Sequence, residues 1–312
     1  MRILVWHVHG SWLTSLVQGP HEYLVPVLPD RGPEGRGRAR TWRWPASVTE
    51  VTPEQAADAQ IDVIVLQRPE ELSGLAEGWL GGRRPGRDVP AIYVEHNTPQ
   101  GRIAEMRHPA ADRDDLLVVH VAYFNALFWD VGTTPSRVIE HGIVDPGHRY
   151  TGELARSAVV INEPVRRGRV TGTDLLDRFG EAAPVDLFGM GVRELGGIED
   201  LPQDELHTAM ARRRVYVHPN RWTSVGLSLV EAMHLGMPVV AVSTTETPEV
   251  VPPEAGVVSN RMDVLLEAIR RLMRAPEEAA VMGKAGRELA LDRFGLDRFL
   301  RDWDAALEAV AG

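Results

Sequence analysis

The chain has 312 residues, of which 44% are hydrophobic and 25% are charged, a composition typical of a packed globular protein with about two domains. It contains no cysteine, which excludes a disulfide framework, a thiolate nucleophile and a cysteine-ligated metal centre. The net charge of −10 is unfavourable for bulk binding of nucleic acid or anionic lipid, so any anion should bind in a local pocket.

The N-terminal segment does not have the pattern of a signal peptide. Ile3–Trp6 form a short apolar run after Arg2, but His7 and His9 interrupt the run, and no small-residue cleavage site follows. No stretch approaches the length of apolar sequence that a membrane span needs. The expected location is therefore the cytoplasm, with no integral membrane segment.

Nine short apolar runs rich in valine and isoleucine predict buried strands. Their hydrophobic residues are consecutive, which indicates strands buried on both faces, as in parallel sheets covered by helices. Helical patterns such as Ser224–Leu235, Arg261–Arg274 and Pro276–Asp292 lie between or after the runs, so the predicted fold is α/β. The predicted strands are Ile3–Val8, Ile61–Leu66, Ala91–Glu95, Leu116–His120, Arg137–Glu140, Ala158–Ile161, Val185–Phe188, Val215–His218 and Pro238–Val242.

Two Rossmann-like domains are the simplest arrangement of these elements. The first covers residues 1–150 and the second residues 151–293. The Gly- and Pro-rich segment His141–Gly152 has the composition of a linker between them. The remaining segment, residues 294–312, begins with an amphipathic helical pattern over Phe294–Trp303.

The segment Val215–Ala241 carries the clearest functional pattern. After a strand and a polar loop, Thr223 or Ser224 can cap a helix that has Gly226 in its first turn. The free backbone N–H groups and the dipole at such a helix start favour an anion. Glu231 lies about two turns further on, where a carboxylate can accept two hydrogen bonds from the vicinal diol of a ribose. The same residues also fit an ordinary strand–helix–strand unit with a surface glutamate.

This segment resembles the C-terminal half of family-4-type retaining glycosyltransferases of the GT-B fold, the bacterial group 1 type. Their signature is Glu-x7-Glu with a Gly three residues after the first Glu, followed by Ala-Met and Gly-x-Pro-Val-Val. Gly226, Glu231–Met233 and Gly236–Val240 match it, while Thr223 stands in place of the first Glu. The resemblance implies two Rossmann-like domains facing across a cleft, with the final helix crossing back to the first domain.

The resemblance also implies the site residues. The donor diphosphate would meet the basic loop with Arg166, Arg167 and Arg169, which has arginines where the family has an Arg and a Lys. His96, at the end of a predicted strand of the first domain, would lie near the transferred sugar. The implied catalytic residues are His96, Arg166 and Arg169, and the implied donor-binding residues are Gly10, Ser11, Gly189, Met190, Thr223, Ser224, Val225, Gly226, Leu227 and Glu231.

The implied reaction is transfer of a sugar from a nucleotide-diphosphate donor to an acceptor hydroxyl, with retention of configuration. Neither a metal nor a cofactor is expected, because arginine side chains and helix N–H groups would neutralise the leaving diphosphate. The acceptor is open among a small molecule, a saccharide and a cell-envelope precursor. The protein is expected to be a monomer or a homodimer with no nucleic-acid partner.

Two other classes of function compete with this interpretation. His7 and His9 are two residues apart, which on a strand places both imidazoles on one face, and such a pair could serve a metal-dependent hydrolase. The replacement of the first Glu by Thr223 is the argument for a non-catalytic nucleotide-sugar-binding protein.

Overall fold

The computed structural model describes residues 1–312, and the chain divides into two compact units. Unit 1 consists of Met1–Val144 with Leu296–Gly312, and unit 2 consists of Asp145–Gly295. None of the helices combines the length and the apolar composition that crossing a bilayer requires.

Each unit is built on one sheet in which all strands run parallel. The strands are β1 (Arg2–Val5), β2 (Glu22–Pro26), β3 (Val48–Val51), β4 (Val63–Leu66), β5 (Ala91–Glu95), β6 (Leu117–His120), β7 (Ser136–Val138), β8 (Leu154–Val160), β9 (Val185–Phe188), β10 (Arg213–His218), β11 (Val239–Val242) and β12 (Gly256–Ser259). The order is β3-β2-β1-β4-β5-β6-β7 in unit 1 and β12-β11-β10-β8-β9 in unit 2.

The connections from β2 to β3 and from β5 to β6 contain no α-helix, whereas the other crossovers within each sheet, as is usual for parallel strands, are made by helices. The helices are α1 (Gly10–Leu16), α2 (Pro53–Asp58), α3 (Ala76–Trp79), α4 (Tyr123–Phe128), α5 (Pro164–Arg167), α6 (Leu176–Gly180), α7 (Gln203–Ala211), α8 (Leu227–Leu235), α9 (Thr247–Val250), α10 (Met262–Arg274), α11 (Pro276–Arg293) and α12 (Leu296–Ala311). The predicted α/β fold with two parallel sheets is confirmed.

The central strands form because their side chains are apolar on both faces. Every residue of β4, β5 and β6 is buried, and at about 1.5–3 kcal/mol for each large apolar side chain such burial is a main source of stability. The apolar runs therefore predict these strands well, and β5 and β9 have the predicted bounds. Strands β2, β3 and β12 are not among the predicted ones.

The last helix belongs to unit 1. In α12, Phe299 and Trp303 are buried, and Trp303 makes an edge-on contact with Trp12 of α1 at 5.5 Å between ring centroids. Gly142 leaves room for this helix, because a Cβ at that position would lie 2.2 Å from the Cβ of Phe299. The apolar spacing that predicts a helix here thus reflects packing against the N-terminal part of the chain.

Candidate functional site

The sheet of unit 2 has a topological switch point between β8 and β10. The chain leaves β8 toward β9 on one side, while β10 lies on the other side of β8. In open parallel sheets, ligands bind at the carboxyl ends of the strands beside such a point. The loops that follow β8 and β10 begin there, and they contain the predicted arginines and the predicted helix start.

The loop after β8 is tied to the loop after β9. The backbone N–H of Glu163 donates to the carbonyl of Met190 at 2.7 Å, and the N–H of Met190 donates to Oδ1 of Asn162 at 2.9 Å. Gly189 has a φ of 129°, and a Cβ there would lie 2.1 Å from the carbonyl oxygen of Ile161. Only glycine fits this close approach, so Gly189 and Met190 lie at the same sheet edge as the basic loop.

Asp174 joins the basic loop to the loop after β10. Its carboxylate pairs with Arg221 at 3.0 Å and with Arg169 at 2.8 Å. These contacts, with that to Arg221 the stronger, hold the pKa of Asp174 below its ordinary value. The backbone N–H of Arg221 also donates to the carbonyl of Val170 at 2.9 Å. The two loops are therefore held side by side.

The three arginines of the basic loop differ in their surroundings. Arg166 is exposed and pairs with Glu163 at 3.3 Å, and Arg169 is exposed and pairs with Asp174. Arg167 is half-buried and no carboxylate pairs with it; burial, and then the charge of Arg166, lower its pKa. The assignment of Arg166 and Arg169 to the diphosphate stays a prediction, and the structure adds Arg167 as the arginine whose charge no acidic side chain balances.

Helix α8 begins later than the sequence predicts. Gly226 is its N-cap residue, with extended backbone (φ −68°, ψ 112°), and no side chain caps the helix. The predicted capping role of Thr223 or Ser224 is wrong; Ser224 is instead buried, and its carbonyl accepts a hydrogen bond from Thr245 at 3.1 Å. Val225 precedes the cap and Leu227 is the first helical residue. The N–H groups of the first turn therefore have no side-chain cap.

His218, the last residue of β10, supports this helix start. A Cβ on Gly226 would lie 2.3 Å from Cε1 of the His218 ring, so glycine allows the backbone to pack directly on the imidazole. Nδ1 of His218 lies 3.3 Å from the Tyr216 hydroxyl, and Nε2 lies 3.2 Å from Nδ2 of Asn220. The side chain is completely buried, and burial lowers its pKa to about 4.

We expect unit 2 to lose stability as the pH falls from 7 to 5. Since the pKa of His218 is about 4 in the folded chain and about 6.5 when unfolded, the unfolded chain binds more protons between these values. The free energy of unfolding should then fall through this window by about 1.4 kcal/mol per pH unit for this histidine. Thermal melts at pH 7, 6 and 5 measure the effect.

The matched variants are His218→Gln and His148→Gln. His218→Gln should make the pH dependence of the melting temperature less steep, whereas His148→Gln, at an exposed position of the same unit, should leave it as in the wild type. An equally steep dependence in His218→Gln would contradict the assignment to this side chain.

Glu231 lies in a buried polar cluster and not on the surface. The residue is 5% exposed, so the alternative of a surface glutamate is wrong. Its Oε2 accepts a hydrogen bond from Nε2 of Gln203 at 3.1 Å and lies 3.4 Å from Nε2 of His207, both in α7. Gln203 and His207 are not among the site residues predicted from the sequence, although their i, i+4 spacing puts them on one helix face.

His96 follows β5 in unit 1 and is buried among aromatic rings. Its ring centroid lies 4.0 Å from that of His9 and 4.9 Å from that of Trp12. Burial, and then the neighbouring His9 and His141, lower the pKa of His96 well below its ordinary value, so its imidazole is neutral near pH 7. Gly10 and Ser11 form the first turn of α1, next to His9.

The predicted metal pair of His7 and His9 is not found. Strand β1 ends at Val5, so neither histidine lies on a strand. Nδ1 of His7 is 3.0 Å from the carbonyl of Gly37, and its ring contacts Trp44, whereas His9 contacts His96. No group of three or more His, Asp or Glu side chains is arranged to hold a metal ion. The hydrolase alternative therefore has no ligand set in the structure.

The fold thus defines an α/β protein with two Rossmann-like domains, and polar side chains collect at the carboxyl ends of the strands in each. Residues 197–289 match the family model of the group 1 glycosyl transferases. This segment includes α7, the loop after β10 and α8. This part of the chain is therefore similar to the group 1 glycosyl transferases.

Two curated relatives match parts of the chain. Sulfoquinovosyl transferase SQD2 of Arabidopsis thaliana is 35% identical over 94 residues, which cover 28% of this chain and 18% of that protein. The GDP-mannose-dependent monoacylated alpha-(1-6)-phosphatidylinositol monomannoside mannosyltransferase of Corynebacterium glutamicum is 30% identical over 142 residues, or 45% of this chain and 31% of that protein. The aligned part of the chain thus spans less than a third of each relative.

Solved structures match nearly the whole chain. Sucrose-phosphate synthase (tll1590) of Thermosynechococcus elongatus has a TM-score of 0.72 at 15% identity, with 99% of this chain and 98% of that chain covered. Anabaena Alr3699/HepE, in complex with UDP, has a TM-score of 0.69 at 16% identity, with 99% and 100% covered. At this level of sequence identity, the structural similarity shows that these proteins and this chain share a fold.

Proposed function

We propose that the protein transfers a sugar from a nucleotide-diphosphate donor to a hydroxyl group of its acceptor, with retention of configuration. The observation that carries the proposal is the arrangement at the switch point of unit 2. The loops after β8 and β10 are hydrogen-bonded to each other there. Beside them, helix α8 begins without a side-chain cap, and it carries the buried Glu231. The UDP complex of Anabaena HepE, a protein of the same fold, supports a nucleotide as the ligand.

Glu231 is proposed to bind the ribose of the donor. A buried carboxylate hydrogen-bonded by Gln203 is oriented before the ligand arrives, and it can accept hydrogen bonds from a vicinal diol. Gly189 and Met190, at the end of β9, are proposed to lie beside the nucleotide base. Thr223–Leu227 are proposed to contact the donor through the backbone and the hydroxyl groups that precede and begin α8.

The diphosphate is proposed to bind between the half-buried guanidinium of Arg167 and the first turn of α8, with Arg166 and Arg169 adding positive charge. Arginine presents N–H donors in a planar fork that matches phosphate oxygens, and the N–H groups at a helix start favour an anion. These donors would stabilise the charge that develops on the leaving diphosphate, so we propose that turnover needs no metal ion and no cofactor. The same phosphate can then assist attack on the face that it leaves, which accounts for retention.

His96 is proposed to hydrogen-bond the transferred sugar. Because burial keeps its imidazole neutral, His96 is a weak base near pH 7. Its proposed role is to orient a hydroxyl group. The proposed acceptor classes are a small molecule, a saccharide and a cell-envelope precursor.

The first test is a set of thermal melts with UDP, GDP, ADP and CMP in the presence of EDTA. A ligand at 100 times its dissociation constant adds about 2.7 kcal/mol of stability, which raises the melting temperature by several degrees. We expect a strong response to at least one diphosphate without metal. No response to any nucleotide, together with a clear response to zinc or manganese in separate melts without EDTA, would instead support a hydrolase.

The second test separates an enzyme from a binding protein. The sugar derivatives of the responding nucleotide are incubated with the protein and a panel of acceptor alcohols, and release of the nucleoside diphosphate is measured. Turnover that depends on the acceptor supports the proposal. Tight binding with no turnover across the panel would favour a non-catalytic nucleotide-sugar-binding protein.

A further inference from the structure

Gln67 joins three loops at the carboxyl edge of the unit 1 sheet. It follows β4, which lies between β1 and β5, and its side chain is 2% exposed. Its Nε2 donates to the carbonyl oxygen of Trp6, just after β1, at 2.7 Å. Its Oε1 lies 3.1 Å from Nε2 of His96, just after β5. The topological switch point of this sheet lies between β1 and β4. The amide of Gln67 therefore lies at the carboxyl edge where ligands of such folds bind.

These two contacts determine which nitrogen of His96 carries the proton. The carbonyl oxygen of Trp6 can only accept, so the amide nitrogen of Gln67 must face it, and the amide oxygen must face His96. That oxygen can also only accept, so Nε2 of His96 must carry the hydrogen. Since the imidazole is neutral, it has one N–H group, and Nδ1 is then a hydrogen-bond acceptor.

The backbone of Gln67 is itself held in place. Its N–H donates to Oε2 of Glu71 at 2.6 Å, and Oε1 of the same carboxyl group accepts a hydrogen bond from Nε of Arg68 at 2.6 Å. Glu71 is completely buried. A buried, hydrogen-bonded support of this kind restricts the rotamers of the groups that it orients.

We infer that Gln67 is a positioning residue that fixes His96 as the Nε2–H tautomer, so that Nδ1 accepts a hydrogen bond from a hydroxyl group of the transferred sugar. The tautomer follows from the geometry of unit 1, while the contact with a sugar rests on the proposed function. An imidazole in this state recognises an O–H donor at Nδ1. A carboxylate or phosphate oxygen at that position would face a lone pair and would be disfavoured.

The test is ¹⁵N NMR of the full chain labelled at histidine. Protonated and unprotonated ring nitrogens differ widely in chemical shift, and the signals of His96 are assigned by their loss in His96→Gln. We expect the Nε2–H tautomer in the wild type between pH 6 and 8. An Nδ1–H tautomer or a charged ring in the wild type would overturn the inference.

Two substitutions of Gln67 sharpen the test. Gln67→Met removes the acceptor that faces Nε2, so we expect a mixture of tautomers. Gln67→Glu keeps an oxygen there and adds a negative charge, so we expect the Nε2–H bond to persist and the pKa of His96 to rise. The matched control is Gln18→Met, which also removes an amide hydrogen bond to a backbone carbonyl, that of Thr14, but faces no histidine. Identical His96 spectra in wild type and Gln67→Met, in a folded variant, would overturn the inference; Gln67→Glu decides if Gln67→Met does not fold.

UDP-glucose and GDP-mannose test the contact with the sugar. Binding of either one should shift the Nδ1 resonance of His96, while UDP or GDP alone should leave it nearly unchanged. Binding of a nucleotide sugar without this shift would overturn the role proposed for His96 and Gln67. If the protein binds no nucleotide sugar, including the sugar derivatives of the nucleotide that responds in the thermal melts, the proposed function fails. The tautomer of His96 is tested independently by the measurement on the ligand-free protein.

Discussion

Arg167→Ala is expected to lower the turnover rate by about 10²–10³-fold, the usual cost of removing one preorganised stabiliser of developing charge. Arg167 is half-buried, and no carboxylate neutralises it. A charge held in this way needs little reorganisation when the leaving diphosphate forms. Because that contact is stronger in the transition state than in the ground state, its loss should appear mainly in kcat. Steady-state rates at saturating donor measure the effect.

Arg166→Ala and Arg169→Ala are the matched controls, since each removes one positive charge from the same loop. Both side chains are exposed and already paired with carboxylates, and such surface pairs contribute at most about 1 kcal/mol. We therefore expect less than about a fivefold effect from either, and Arg167→Lys should retain part of the rate. A larger loss in Arg166→Ala or Arg169→Ala than in Arg167→Ala would restore the assignment made from the sequence.

The fold could be predicted from the sequence wherever burial is complete on both faces of a strand. The runs of β4, β5 and β6 contain no polar residue before their last position, so their pattern has few other interpretations. Strands β3 and β12 lie at sheet edges, where polar side chains are tolerated, and their short mixed sequences resemble loops. Strand β2 has only three apolar residues between Glu22 and Pro26, which is too short a run to predict a strand by itself.

The site was harder to predict because its details depend on loop geometry. The pattern at residues 223–231 indicates a helix start and a glutamate that can bind a ribose, but local propensity favours Thr223 or Ser224 as the cap. The structure extends the backbone to Gly226 instead, since the glycine packs on His218. Likewise, three neighbouring arginines look equivalent in sequence. Their partners are set by the left-handed backbone of Glu163 and by the position of Asp174, which composition does not encode.

Glu231→Ala is expected to weaken donor binding by about 10- to 100-fold, because each hydrogen bond to a charged group contributes about 1.5–3 kcal/mol. The carboxylate is buried and oriented by Gln203, so the side chain loses little conformational entropy on binding. Glu231→Gln keeps one acceptor oxygen and should lose less. Isothermal titration with the nucleoside diphosphate that responds in the thermal melts gives the affinities.

The sharpest control removes the hydroxyl group from the ligand instead of the carboxylate from the protein. If Glu231 binds the ribose diol, the wild type should bind the 2′-deoxy form of the nucleotide more weakly than the ribose form, and Glu231→Ala should bind the two almost equally. This comparison also separates a lost ribose contact from a structural effect of the substitution. Glu231→Ala leaves Gln203 and His207 without a partner, and any disturbance from that loss would weaken the binding of both nucleotides equally. Undiminished discrimination between the two nucleotides in Glu231→Ala would place the ribose elsewhere in the site.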